Sequence, residues 1–219
     1  MSRHAGVFAA VLAASPVAAA PPSPPWHGET HLEVGMRSGT LQVGDSRAAI
    51  EGSVFALQQD VTLVPSLNLG LAYERQSLQP DSMLSGALSY SSQQSTMRIG
   101  LAPYWHAGSA VLSVIAEGIS LQSAESGRAV FGQGQHYGAG IGGCSLLRLG
   151  PHMEVLGHAA GYRAGDVEMI TAGMRVAYRV WQREGRTLAL HVEAAEQQLT
   201  NGHAELDGGH LGLGLGYGF

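Results

Sequence analysis

Residues Leu211 to Phe219 read L-G-L-G-L-G-Y-G-F, and this stretch decides the fold. Large apolar side chains occupy every second position, and glycine occupies each position between them. A period of two residues indicates a β-strand, in which successive side chains point to opposite faces of the sheet. One face of this strand is therefore continuously apolar, and it is formed by Leu211, Leu213, Leu215, Tyr217 and Phe219. In a water-soluble protein a second layer of structure would have to cover that face.

The strict alternation that closes on an aromatic residue resembles the C-terminal signal of bacterial outer-membrane β-barrel proteins. The resemblance rests on the same five residues, and it extends to the rest of the chain only through composition and spacing. It implies that the barrel-assembly machinery reads this signal during insertion. It also implies a location in the cell outer membrane, with membrane lipid and lipopolysaccharide as the surrounding partners.

Residues 1–19 have the pattern of a cleaved signal peptide. Arg3 provides the positive start, Ala5 to Ala14 form a short apolar segment, and Val17 and Ala19 are the small residues before the cleavage site. The apolar segment is too short to span a membrane, which takes ~20 residues. Four prolines between Pro21 and Pro25 predict a stiff periplasmic lead-in over residues 20–29. Residues 30–219 are then the barrel domain.

The composition agrees with an exported membrane barrel. The chain has 31 glycines, only 13% charged residues, and no lysine among its 12 basic residues. A formal net charge of −5 argues against nucleic acid, which requires a basic surface. No later stretch approaches 18 consecutive apolar residues, so no transmembrane helix is expected. Mean hydropathy near zero is typical of barrels, because lipid-facing and lumen-facing residues average out along each strand. The single Cys144 excludes an internal disulfide.

The same two-residue period recurs along the chain and predicts an all-β fold, a transmembrane antiparallel up-and-down β-barrel. We count ten strands, with eight to twelve as the range, since bacterial single-chain barrels have even numbers. Short turns alternate with longer polar segments, as expected for periplasmic turns and outer loops. The segments interpreted as outer loops are Gly39–Arg47, Gln76–Gln94, Gln122–Gly134 and Gln197–Gly209.

Three stretches leave the strand count open. Gln76–Gln94 is either a long outer loop or an outward extension of the next strand, and a separate strand at Met83–Tyr90 would raise the count. Ala110–Leu121 is apolar on both faces, and Met153–Arg163 is poorly phased, so the alternation does not assign their inward positions.

Acidic and basic residues lie opposite the apolar faces and are expected inside the barrel. Unpaired charges there would be too costly, so they predict an ion-paired interior network. Its expected members are Glu33, Arg37, Glu74, Arg98, Arg148, Arg175, Arg179 and Glu193, with Glu117 and Glu154 on strands of unclear phase. The alternative is a charged constriction in a narrow pore. A barrel of ~8 strands is just filled by side chains, and inward glycines leave further space at Gly138, Gly140, Gly142, Gly212 and Gly214.

Candidate chemical sites are weak. His203 and His210 lie near Glu205 and Asp207 in a predicted loop and could form a surface metal site, but ordinary loop polarity explains them equally well. His136-Tyr137-Gly138 is similar to the His-x-Ser pattern of outer-membrane lipid A deacylases, yet glycine stands in the serine position, and without a hydroxyl there is no acyl-enzyme. We therefore predict no catalytic residue, no cofactor and no metal ligand.

The sequence predicts a small monomeric outer-membrane barrel with a structural or surface-interaction role, such as adhesion through its loops. Two alternatives remain open, a narrow porin-like channel for small solutes and a lipid-acting outer-membrane enzyme. A different fold, a secreted soluble β-sandwich, would cover the apolar faces with a second layer.

Overall fold

The computed structural model describes residues 28–64, 67–80, 91–126, 131 and 134–219. Within them, ten antiparallel strands form one sheet, and β1 pairs with β10 to close it into a barrel. The predicted up-and-down barrel of ten strands is confirmed, and the soluble two-layer sandwich is wrong. The strands are β1 (Gly28–Val43), β2 (Ser46–Val64), β3 (Leu67–Pro80), β4 (Ser91–Ala107), β5 (Ala110–Ser126), β6 (Gly134–Arg148), β7 (Met153–Ala164), β8 (Val167–Arg183), β9 (Arg186–Thr200) and β10 (Ala204–Gly218).

The two ends of the barrel are named from the chain path. Gly28 and Phe219 meet at the terminal end, where the Phe219 N–H donates to the Gly28 carbonyl at 3.0 Å. The turn between β1 and β2 lies at the opposite end, which we call the loop end. The predicted signal peptide (1–19) lies outside the described residues, as does the lead-in up to residue 27. In the described part of the chain, no helix has the length and apolar character needed to cross a membrane.

An apolar belt surrounds the outside of the barrel. On β8 the exposed fractions of Ile170, Met174, Val176, Tyr178 and Val180 lie between 37% and 58%. The ten steps from Ile170 to Val180, with a rise of about 3.4 Å and a tilt of about 40°, cover roughly 26 Å along the barrel axis. That height matches the ~25 Å apolar band of outer-membrane barrels. Other residues of the belt are Leu32, Val34, Met36, Leu57, Met97, Ile99, Trp105, Ile141, Leu190, Leu211, Leu213, Leu215, Tyr217 and Phe219.

The polarity of the strands reverses towards the loop end. On β1, Met36 faces outward and is 69% exposed, whereas Leu41 faces inward and is fully buried. On β10, Leu211 faces outward, but Leu206 is buried inside the barrel and Asp207 is exposed outside. The buried inward residues form a cluster that we call the apolar plug: Leu41, Ile50, Leu78, Ile119, Leu121, Phe131, Tyr162, Ala164, Val167, Met169, Leu199, Ala204 and Leu206.

This reversal explains two wrong predictions. Gly39–Arg47 and Gln197–Gly209 were expected to be loops, but the turns occupy only Gly44–Asp45 and residues 201–203. Beyond the belt, water replaces lipid outside the barrel, so polar side chains face out and apolar side chains face the plug. The two-residue alternation continues with its phase inverted, and its polar half resembles a loop.

The other two segments predicted to be loops consist partly of strand. β3 continues to Pro80 and β4 begins at Ser91, so both ends of the Gln76–Gln94 segment are strand; residues 81–90 lie outside the described part. β5 continues to Ser126 and β6 begins at Gly134. Residues 127–130 and 132–133 are outside the described part.

The structure also assigns the two strands of unclear phase. On β5, Val114 faces outward into the belt, while Ile119 and Leu121 face inward into the plug. β5 is therefore apolar on both faces because its two faces meet different apolar surroundings at different heights. On β7, Glu154 and Tyr162 face inward, which places Glu154 in the lumen as the sequence suggested.

Candidate functional site

A cavity of about 610 Å³ occupies the lumen. Tyr162 and Met169 of the apolar plug line it on the loop side. At the other side it reaches Gly28, His106 and Arg148, which are at the terminal ends of β1, β4 and β6. The lumen is therefore divided into a filled part at the loop end and a cavity that extends to the terminal end.

Seven of the eight charged residues expected in the interior line the lumen cavity, and the eighth, Arg179, is buried. Some of the arginines connect strands that are not neighbours. Arg37 on β1 faces Glu74 on β3, with 3.5 Å between Nη2 and Oε1. Its Nη1 also donates to the side-chain oxygens of Gln76 and Gln197. Because β1 pairs only with β2 and β10, Arg37 braces the barrel beyond the backbone ladder, to β3 on one side and β9 on the other.

A second brace crosses the lumen from β8. Arg175 donates to Glu193 on the neighbouring strand, with 2.7 Å between Nε and Oε2. Its Nη2 donates across the lumen to the Gln58 side chain on β2 at 3.4 Å. The strands β8 and β2 share no backbone pairing, so this guanidinium connects opposite walls.

Two further arginine groups complete the interior network. Glu154 accepts from Arg148 Nε at 3.0 Å and also from Arg179 Nη2. Arg98 Nη1 donates to the Tyr162 hydroxyl at 3.1 Å, and that hydroxyl donates to Glu117 Oε2 at 2.5 Å. Each of these carboxylates is thus compensated by an arginine, directly or through one hydroxyl, as buried charges require.

A cluster of histidines surrounds Glu33. Its two carboxylate oxygens lie 3.2 Å from His191 Nε2 and 3.2 Å from His210 Nε2. The His31 ring meets the His191 ring edge-on, with 5.4 Å between centroids. The assignment of His210 to a loop was wrong, because β10 begins at Ala204 and the His210 side chain is buried in the lumen. Its even position, in phase with Gly212 and Gly214, was the available sequence signal.

Glycines make room for this cluster. A Cβ atom at Gly212 would overlap the Glu33 carboxyl, and one at Gly214 would overlap the His191 ring. At Gly35 a Cβ atom would overlap His210. The sequence analysis associated the space left by Gly212 and Gly214 with a narrow pore. In the structure, side chains from β1 and β9 fill this space.

Two acids near the terminal end were missed by the sequence reasoning. Glu29 fell in the predicted lead-in, but β1 already begins at Gly28. Asp60 is its partner in the β1–β2 register. Glu29 Oε1 lies 3.1 Å from His31 Nε2, and Asp60 Oδ2 accepts from Gln58 Nε2 at 2.8 Å.

The described residues give no geometric support to the metal and enzyme hypotheses. Among the described residues, no group of three or more histidine, cysteine or acidic side chains is arranged to hold a metal ion. His203 lies in the β9–β10 turn and Asp207 faces outward, whereas His210 faces inward, so these residues do not converge. Gly138, at the position of the deacylase serine, faces a wall where a Cβ atom would overlap the backbone of Arg163.

A closed ten-stranded barrel with an apolar belt outside and a braced, charged lumen inside is the architecture of a transmembrane β-barrel protein. The five residues of the terminal stretch, Leu211 to Phe219, lie in that belt with their side chains exposed. The structure thus places the apolar face of this stretch on the outside of the barrel.

No family model and no curated protein matches this chain. Among solved structures it is similar to the outer membrane protease OmpT from Escherichia coli, with a TM-score of 0.48, 10% identity and coverage of 91% of this chain and 99% of that chain. It is also similar to an outer membrane channel from Pseudomonas putida F1, with a TM-score of 0.48, 11% identity and coverage of 92% and 100%. A third is Ail, the attachment invasion locus protein of Yersinia pestis, with a TM-score of 0.38, 12% identity and coverage of 88% and 99%.

Proposed function

We propose that this protein is an outer-membrane β-barrel with a closed lumen, and that it acts structurally or through surface contacts rather than as a channel. The apolar plug is the observation that carries this proposal. Leu41, Leu78, Leu199 and Leu206 are fully buried inside the loop end of the barrel. A path for polar solutes needs hydrated walls, and a layer of buried leucine side chains does not provide them.

The predicted partners follow from the outer surface. The apolar belt is the part in contact with outer-membrane lipid, and lipopolysaccharide surrounds its loop side. The barrel-assembly machinery reads the stretch Leu211 to Phe219 during insertion. A monomer satisfies these contacts because closure of β1 on β10 removes the free sheet edges.

The loop end supports a role at the cell surface. From Met36 to Val43, β1 continues for seven steps, which lifts the β1–β2 turn roughly 18 Å above the belt at a tilt of about 40°. The outward side chains of this extension and its neighbours include Glu51, Glu205 and Asp207. Hairpins that project from the membrane with polar outer faces are suited to contact other molecules.

The channel alternative is tested by conductance in planar lipid bilayers. We expect no steady conductance from the refolded wild-type protein. Leu78→Ser combined with Leu199→Ser places hydroxyls in the plug and is expected to produce conductance. The matched control, Gln198→Ser with Asp207→Ser, alters outward residues at a similar height and is expected to stay silent. Steady conductance of the wild type, unchanged in the plug variant, would refute a closed lumen.

The structural and adhesive roles are separated in cells. A structural role predicts that a deletion strain becomes permeable to detergent. It also predicts that expression of the Glu205→Arg/Asp207→Arg variant restores detergent resistance to that strain. Loss of attachment to surfaces with that same variant, while detergent resistance is retained, indicates that the outer face of the loop end makes the contacts. Normal resistance and normal attachment in the deletion strain would contradict both.

A further inference from the structure

The cavity at the terminal end has the size of a small-molecule site. Its volume of about 610 Å³ lies within the range of roughly 300–1,000 Å³ common for ligand pockets. The apolar plug bounds it on one side, so a molecule would enter from the terminal end. This face is opposite to the projecting hairpins, and a ligand here would be independent of the proposed surface role.

The acids that line this cavity differ in their partners. Glu74 and Glu193 pair with arginines farther inside the barrel, and Glu154 pairs with Arg148 and Arg179 near the terminal end. Near the terminal end, no ion pair within the described residues joins Glu29 or Asp60 to an arginine. Their recorded partners are the neutral amide of Gln58 and the imidazole of His31. These two carboxylates therefore have no arginine ion pair, although the charge of Arg175 acts on both of them, and that of Arg179 on Glu29, from a longer distance.

His31 adds an acceptor to these two acids. Its Nε2 lies 3.1 Å from Glu29 Oε1 and donates to that carboxylate, and in the neutral tautomer with this donor Nδ1 is a hydrogen-bond acceptor. Nδ1 is buried without a hydrogen-bond partner, and the residue is only 8% exposed. Buried polar atoms are nearly always paired. A ligand with several N–H donors would satisfy the two carboxylates and the unpaired nitrogen acceptor together.

Glycines keep the approach to these groups open. Gly70, the register partner of Asp60 on β3, has no side chain, and a Cβ atom there would come within 3.1 Å of Asp60 Oδ1. Gly216, the register partner of His31 on β10, leaves room for the imidazole ring, since a Cβ atom there would lie 2.9 Å from Nδ1.

An aromatic pair lines the same cavity. The rings of Tyr104 and His106 meet edge-on, with 6.0 Å between their centroids. The face of a tyrosine ring attracts cations. The lining thus combines anions, a neutral acceptor and an aromatic face.

We propose that this cavity binds a small organic cation, an ammonium or guanidinium compound, with Glu29 and Asp60 as its anionic anchors and His31 Nδ1 as a hydrogen-bond acceptor. The cation gives Glu29 and Asp60 a direct countercharge and satisfies the buried nitrogen. A neutral polyol could fill the space but would not compensate the charge, and an anion would be repelled.

The test is calorimetric titration of the refolded barrel in non-ionic detergent at neutral pH, with putrescine as the probe and butanediol as its uncharged counterpart. We expect saturable binding of one putrescine per barrel and no binding of butanediol. Glu29→Gln and Asp60→Asn are each expected to weaken the affinity by about tenfold or more. Glu205→Gln and Asp207→Asn, which remove outward acids, are the matched controls and should bind as the wild type does.

A heat-dependent gel shift verifies that each variant has refolded. If one acid variant does not refold, the other and His31→Phe decide the outcome. The proposal is overturned by an absence of saturable putrescine binding, by undiminished binding in the refolded variants, or by calcium ions displacing putrescine at equal concentration, which would indicate an inorganic cation site. None of these results alters the conductance prediction for the plug.

Discussion

At the scale of single residues, the glycines of the terminal stretch have two roles. They alternate with the leucines that face lipid, and they leave the inner wall bare where Glu33 and His191 lie against it. Glu33 lies between His191 and His210, and Arg175 pairs with Glu193 and reaches across the lumen to Gln58. Substitutions at the glycines therefore test whether the inner wall must stay free of side chains. Substitutions at the charged residues test whether the charges in the lumen must be paired.

Gly214→Ala tests the space requirement. The new Cβ atom would overlap the His191 ring and the Leu32 carbonyl oxygen, and overpacking of this kind costs about 1–3 kcal/mol. Gly209→Ala on the same strand is the control, since no atom lies within 4 Å of its Cβ position, and a change within about 0.5 kcal/mol is expected. Urea unfolding in lipid bilayers measures both. Equal stability of the two variants would show that the lumen adapts freely at Gly214.

Arg175→Met tests the interior ion pairs. It leaves the buried Glu193 without its guanidinium, which costs about 3–5 kcal/mol in buried pairs. The double variant Arg175→Met/Glu193→Leu removes both charges and should recover most of the loss. Arg183→Met breaks an exposed pair with Glu184 at 3.2 Å and should cost less than about 1 kcal/mol. The same unfolding measurement applies, and a single variant as stable as wild type would contradict the bracing role.

At the scale of elements, each long strand crosses two surroundings. Its outward face is apolar in the belt and polar beyond it, while its inward face changes in the opposite sense. β10 shows this within fifteen residues, from Asp207 outside the plug to Leu213 in the belt.

Leu213→Arg and Asp207→Arg compare the two surroundings on one strand. An arginine facing lipid near the middle of a membrane costs about 2–4 kcal/mol, and one near the interface about 0–1 kcal/mol. We expect Leu213→Arg to lower the free energy of unfolding by the larger amount and to slow insertion, and Asp207→Arg to be nearly neutral. Similar costs at both positions would place the belt elsewhere on β10.

At the scale of the whole molecule, closure of the sheet is the decisive feature. β1 pairs with β10 from Glu29–Gly218 to Val43–Ala204, so the backbone groups of both edge strands are satisfied without another chain. In hydrocarbon an unpaired backbone group costs several kcal/mol, which makes the seam essential for a membrane protein.

Cysteine cross-linking tests the seam in a Cys144→Ser background. Leu32 and Leu215 are register partners across it, so Leu32→Cys/Leu215→Cys should form a disulfide on mild oxidation. Leu32→Cys/Met174→Cys is the control, because β1 and β8 are separated by two strands, roughly 14 Å apart, beyond disulfide reach. Electrophoretic mobility under non-reducing conditions reports the cross-link. Failure of the first pair, or equal reaction of the second, would argue against closure between β1 and β10.

The sequence by itself determined the fold class and the ten strands. These follow from the two-residue alternation, which is local and depends only on which side of the sheet meets lipid. It also placed Leu211 to Phe219 on one apolar face.

Only the tertiary structure decided the plug, the cross-lumen braces and the positions of Glu29 and Asp60 on the cavity wall. The segments Gly39–Arg47 and Gln197–Gly209 looked like loops because their alternation is inverted, and the inversion has meaning only when the height of the belt is known. His210 and Glu33 are far apart in sequence and meet because β10 closes on β1. Contacts between distant strands depend on register and closure, and neither is encoded in the period of any single strand.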